Sequence, residues 1–284
     1  MKKLKFILAV LLVANLGVDS YAQEVVKPPT YPDGVYIKEN SLGRRAIPYT
    51  SLREADVMWS KRVWRVIDLK EKMNLPLYYP STPLADRKSL FDVLKDDVMK
   101  TGNTKCFDDE EFRLEFTKSE IASKLVSWDS SATTDDPNNP GQTIPSPVKT
   151  EINSEKIIQY RIKEDWFFDK QRSVLDVRII GLQVIISKVS ESGEEGGAKP
   201  LFWVYFPEVR PLLATQDVYM RHNDSERRTL DDIFWKRMFS SYIIKESNVY
   251  DRQIGEYTIG INALLESERV KDDTFKFEHD LWHF

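Results

Sequence analysis

The chain holds one cysteine in 284 residues, Cys106, so no intramolecular disulfide is possible. That cysteine lies in "TGNTKCFDDEE", among acids that raise a thiol pKa, so it reads as a buried structural thiol and not a nucleophile. Histidine is nearly as scarce: His222, His279 and His283 are the whole supply of general bases that titrate near neutral pH. No G-x-S-x-G elbow, phosphate-cradling glycine run or dinucleotide fingerprint occurs, and "GEEGG" is only a polar turn. Basic excess is absent too: 41 Lys and Arg face 45 Asp and Glu, which excludes a phosphate-binding surface. Past the first two dozen residues, no apolar run is long enough to cross a bilayer.

The N-terminus is the exception. Lys2, Lys3 and Lys5 precede an apolar stretch from Phe6 to Leu16, and Ser20-Tyr21-Ala22 supplies small residues before a cut. These features predict a cleaved export signal over 1–22, with cleavage between Ala22 and Gln23. With no cysteine near the cut, the mature end is predicted to carry no lipid. Residues 23–50 ("KPPTYPDGVY", "AIPYT") lack periodicity and predict an extended arm.

The rest predicts one α+β unit over 51–284, in which an antiparallel hairpin and meander at about 155–213 packs with several helices. Leu52, Ala55, Trp59, Val63, Val66 and Ile67 recur at helical steps after Ser51 and Glu54, which predicts a helix from Ser51 to about Asn74. Further helices are predicted at "RKSLFDVLKDDVMKTG" (stopped by Gly102), "EFTKSEIASKLV", "TLDDIFWKRMFSSYIIKES" (capped by Thr229) and "GINALLESERVKDD". "NVYDRQIGEY" predicts a turn. Residues 129–149 are rich in Ser, Thr, Asn, Asp and Pro and predict a flexible insertion. "EKIIQYRIKEDWFFD" alternates Ile158, Tyr160 and Ile162 against Gln159, Arg161 and Lys163; "SVLDVRIIGLQVIISKV" alternates Leu175, Val177 and Ile179 before turning apolar on both faces. The short polar "DKQRS" between them predicts a hairpin turn, and "PLFWVYFPEVR" a third strand ended by Pro207. Gly181 is predicted to allow a bulge.

Two constellations invite a chemical reading. Glu164 and Asp165 sit beside Trp166, Phe167 and Phe168, the composition of a sugar-cleaving site. Adjacent strand residues point to opposite faces, however, so the two cannot form a facing carboxylate pair. Glu164 is predicted to pair with Arg161 or Lys163, while Trp166 and Phe168 share a buried face. In "EHDLWH", His279 and His283 stand four apart, but the glutamate of H-E-x-x-H is missing and a third ligand would be remote. No catalytic, cofactor or metal residue is assigned.

The blocks "READVMWSKRVWRVIDLKEKMN" (53–74), "RIKEDWFFDKQRSVLDVRIIG" (161–181), "LFWVYFPEVR" (201–210) and "NVYDRQIGEY" followed by "EHDLW" resemble the GldN/PorN family of Bacteroidota, across roughly 45–284. The resemblance implies a non-enzymatic periplasmic subunit of the gliding motility and type IX secretion machinery. It implies a ring-forming outer-membrane lipoprotein as partner, self-association within a large ring and peripheral attachment to the outer membrane, with no cofactor. A monomeric periplasmic carbohydrate- or peptide-binding module is the alternative that composition leaves open. For a partner interface the candidates are Trp64 with Arg62 and Arg65, on the far side of the first helix from a core Trp59, and the aromatic tail with Phe275, Trp282 and Phe284.

Overall fold

The computed structural model describes residues 43–84, 87–129, 133–135, 143–145, 148–189, 195–220, 223 and 225–281. The export signal, its Ala22/Gln23 cleavage site, the arm as far as residue 42, His222, Trp282, His283 and Phe284 lie outside them, as does most of 129–149. Residues 41–284 form one compact unit.

In chain order the strands and helices are β1 (Val57–Asp68), α1 (Leu75–Tyr78), α2 (Leu90–Asp96), β2 (Cys106–Phe107), α3 (Lys118–Lys124), β3 (Val126–Asp129), β4 (Thr133–Asp135), β5 (Thr143–Pro145) and β6 (Val148–Glu151). They continue as β7 (Ile157–Asp169), β8 (Val174–Val189), β9 (Glu195–Tyr205), α4 (Phe206–Leu213), β10 (Asp217–Val218), β11 (Arg228–Thr229), α5 (Leu230–Trp235), β12 (Tyr242–Glu246), α6 (Ile254–Tyr257) and α7 (Ile261–Asp280). The frame is a six-stranded antiparallel sheet in the order β12-β1-β7-β8-β9-β2. The β7–β8–β9 meander is the predicted one. Around the polar insertion, β3 pairs with β6 and β4 with β5, so its described backbone forms two short ladders where only a loop was expected.

One sheet face carries the main core. Ile67, Tyr160, Ile162, Ile179, Leu182 and Val204 pack there under α2, α4 and α5, against Leu90, Leu94, Phe206, Leu213, Ile233 and Phe234. A register shift between Ile157 and Gln159 brings Ile157 to this face in place of the expected Ile158. A second shift falls between Lys163 and Glu164, where Gly181 faces Lys163. That is the bulge Gly181 was expected to allow. The glycine is also needed for space, since a Cβ there would lie 2.7 Å from Cζ of Phe112.

Caps place the shorter helices where the sequence put them. Ser89 accepts from the Asp92 amide, Gly102 (φ 69°) ends the turn after α2, and Thr117 with Glu120 forms a reciprocal capping box on α3. Thr229 and Asp232 do the same for α5.

Four further elements differ from the sequence reading. The first predicted helix is the strand β1, preceded only by a single 3-10 turn at Glu54–Asp56. β1 runs between β12 and β7 and is buried on both faces from Val63 to Ile67, which erases the period-2 alternation a half-exposed strand shows. What remains is a β-branched and aromatic run whose spacing coincides with a helical one. The second difference is that the helix capped by Thr229 stops at Trp235. Arg237 takes a left-handed conformation (φ 52°), and "YIIKE" continues as β12 with Ile243 and Lys245 buried. The third is α4: β9 ends at Tyr205, ahead of Pro207 as expected, but the chain then enters a helix in whose first turn Pro207 stands, where its missing N–H costs nothing. "QIGEY", expected as turn, closes into α6.

Candidate functional site

Glu164 and Asp165 point to opposite faces, as strand geometry requires. Glu164 is fully buried and accepts two bonds from the Arg237 guanidinium (2.8 and 3.2 Å) and one from the Trp166 indole (3.1 Å). Its partner is therefore Arg237, delivered by the left-handed turn after α5, and neither Arg161 nor Lys163. Arg65, also buried, lies on this face with its Nε on Ser241 (3.0 Å); desolvation lowers its pKa against the opposing pull of Glu164. Asp165 is forked by Arg62 at 2.6 and 2.8 Å on the other face. Both carboxylates are occupied by guanidinium groups, and neither is placed to hand a proton to a substrate.

On that other face Lys245, Trp64, Lys163, Gly181 and Tyr205 pair in succession from β12 to β9. Trp64 is only 6% exposed; its indole donates to Glu110 (2.9 Å), and the Lys245 ammonium lies 4.6 Å from its ring. Lys163 donates to the Glu110 carbonyl (2.7 Å) and stands 5.8 Å from both the Trp64 and Phe112 rings. Phe112, held at φ 59°, meets Phe107 and Tyr205 edge-on and covers Gly181.

These positions correct the face assignment. Trp64 and Arg65 are buried and offer no open surface, whereas Trp59, expected in the core, is half-buried and stacks on Phe277 of α7 at 4.5 Å. The cause is the change from helix to strand: residues 59 and 63 share a face with 65, and 64 opposes them. Arg62 is part-exposed but tied to Asp165. Phe275 is 65% exposed, so part of the aromatic tail docks through Phe277 and part does not. Cys106 is buried, and desolvation, with Asp97 and Glu115 nearby, pushes its thiol up to about 12. His279 is exposed beside Phe275 and Asp280. Among the described residues no group of three His, Cys, Asp or Glu is arranged to hold a metal, and no helix is long and apolar enough to cross a membrane.

Two features were missed. Buried Arg210 forks Asp231 (2.8 and 3.1 Å) and stands 4.3 Å from the Tyr49 ring and 4.7 Å from the Trp235 ring. Arg178 meets the same Tyr49 ring at 5.1 Å and donates to the Thr50 carbonyl, so residues 44–50 are strapped beside β8 and α5. Only long-range contacts produce this cluster, and no local pattern announces it. The other feature is an apolar surface at the start of α7. Ile261 (76% exposed), Leu264 and Leu265 (63%) are open, as are Ile259 just before the helix and Val249 and Tyr250 in the turn after β12. The sequence predicted a helix here and did not say which side of it docks. Ala263, Ser267, Val270 and Phe277 form the docked seam, about half a turn away.

The geometry is that of a sheet-based scaffold with exposed apolar side chains on α7. The family described as gliding motility-associated protein GldN matches residues 52–283. The chain belongs to the GldN family. No curated protein matches the sequence. As a GldN-family member it is a non-enzymatic, periplasmic and outer-membrane-associated component of the gliding and type IX secretion machinery.

Proposed function

We propose that this GldN-family chain is a structural subunit that assembles with a ring-forming outer-membrane lipoprotein, and with copies of itself, into a large ring. The observation that supports the reading is the exposed side of α7, where Ile261 (76% exposed), Leu264 (56%) and Leu265 (63%) lie open within one turn of the helix, with Ile259 exposed just before it. Single exposed apolar residues are ordinary, but several on one side of one helix turn mark a contact. The buried charges of the sheet, by contrast, are matched within the chain and leave no reactive group waiting for a substrate.

Detergent extraction followed by native sizing tests it. The chain should travel in a particle many times its own 33.1 kDa, together with a lipid-modified partner. A chain that migrates alone and binds a sugar or peptide as a monomer would overturn the proposal in favour of a periplasmic binding module.

A further inference from the structure

Helix α7 has two apolar sides. One is docked: Ser267 accepts from the Ile243 amide at 2.8 Å, Val270 is fully buried, and Phe277 stacks on Trp59. The other, formed by Ile261, Leu264, Leu265 and, further along, Phe275, faces away from the sheet. Exposed Glu268 and Asp272 interrupt this open stripe. The helix as a whole carries six carboxylates (Glu266, Glu268, Asp272, Asp273, Glu278, Asp280) against Arg269, Lys271 and Lys276. An acidic apolar stripe facing its own copy across a two-fold axis would oppose like charges. It fits a surface that is apolar and basic.

The chain has such a surface elsewhere. Ile47 (56% exposed) and Trp235 (41%) lie open in the strapped 44–50 segment and at the end of α5; Tyr49, two residues after Ile47, has its ring centroid 5.6 Å from that of Trp235. Exposed Arg44, Arg45 and Lys236 flank them. Arg44 also reaches the Arg227 carbonyl and Asp232 (3.7 Å), which anchors the strap to the α5 cap. The two surfaces lie by different edge strands at this end of the sheet, α7 by β1 and the strap by β8. Along residues 57–62, 164–169 and 174–180 the named strand pairings are β1–β7 and β7–β8 alone. α7 packs by the β12–β1 side, and the strap holds to β8 through Arg178.

We infer that the acidic apolar stripe of α7 on one copy docks against the basic apolar surface around Ile47, Arg45 and Trp235 of a second copy. The contact is head-to-tail: each copy offers a different surface to each neighbour, so the series extends until rotation closes it. The inference rests on the self-assembly reading above and names the joint.

The sole native cysteine is buried, so engineered pairs report cleanly. In the full-length exported chain, Ile47→Cys combined with Leu265→Cys should give a ladder of disulfide-linked oligomers under mild oxidation. Each single variant should stay a single band. Leu265→Asp should raise the concentration needed for self-assembly about tenfold or more with an unchanged melting temperature, because Leu265 is exposed. A covalent dimer from Leu265→Cys alone would replace the head-to-tail joint with a two-fold one and overturn the inference. So would wild-type assembly that neither the pair nor Leu265→Asp affects. A wild-type chain that never self-associates, with or without its partner, would overturn the assembly reading itself.

Discussion

Lys163 and Glu164 are neighbours in β7, both buried, and their charges are met in different ways on the two faces of the sheet. Glu164 is answered by charge: Arg237 arrives from 73 residues away and forks it, with Trp166 adding a third bond. Lys163 is answered by dipoles and ring faces: one carbonyl, then Trp64 and Phe112. The ion pair depends on a single backbone event, the left-handed residue that ends α5. The cation between rings depends on shape, because Trp64, Phe112, Gly181 and Tyr205 must all fit together. One face is thus sensitive to charge deletion and the other to volume.

The largest effect is expected from removing the ring at the centre of the second face. Trp64→Ala deletes a buried side chain and the donor to Glu110, and it takes a ring face from both Lys163 and Lys245. A loss of about 3–5 kcal/mol should appear in urea unfolding, and the soluble yield should fall. A folded variant of near wild-type stability would show that this face tolerates a cavity and would erase the contrast.

Glu164→Gln probes the first face. The amide keeps the shape but leaves Arg237 and buried Arg65 without their carboxylate. Breaking a buried ion pair in this way typically costs about 3–5 kcal/mol; Gln retains the bond from Trp166, which puts this variant at the lower end. The matched change Arg237→Met with Glu164→Leu should recover part of the loss, because replacing both charges removes the desolvation cost as well. If the single and double variants are equally unstable, charge is not what this face depends on.

How much of this arrangement could be read beforehand differs element by element. The meander was legible because "DKQRS" is a polar turn between alternating strands, α5 starts where Thr229 caps, and Gly102 ends the helical run after α2. β1 was not: a strand buried on both faces loses its alternation, and Trp59 and Val63 then mimic a helical repeat. β12 was lost behind the cap of α5, since nothing in the letters places Arg237 in a left-handed turn. The Glu164–Arg237 pair and the Tyr49–Arg210–Trp235 stack join residues remote in sequence, which no window reveals. On α7 the letters show two apolar sides, and only the docking of Ser267 and Val270 decides which one is open.

Gly181→Ala should sharpen the shape dependence. Its Cβ would fall 2.7 Å from Phe112 Cζ and 3.3 Å from the Trp203 ring, so Phe112 must leave its place over the bulge. A cost of about 1–3 kcal/mol is expected for such overpacking, and Phe112→Ala should relieve the added strain, so that the double variant is more stable than the sum of the singles implies. Strict additivity would mean that the two residues do not share the space the structure gives them.

The smallest effect concerns the lysine itself. Burial, and then the nearby Arg62, holds the Lys163 ammonium below the ordinary lysine range. A base whose folded pKa is depressed binds fewer protons in the folded state than in the unfolded one between those two values. Stability therefore gains from this group as pH rises through that interval, and the penalty is full and constant below it. Lys163→Met removes both the penalty and the bond to the Glu110 carbonyl. Unfolding free energies of wild type and variant, measured from neutral pH up to about the ordinary lysine pKa of ~10.4, should differ by an amount that shifts in favour of the wild type as pH rises. A difference that stays flat would show that the folded protein leaves Lys163 with an ordinary affinity for its proton. One that shifts the other way would mean that the aromatic rings and Glu110 hold the ammonium more tightly than water does, and the second face would then be a charge site like the first.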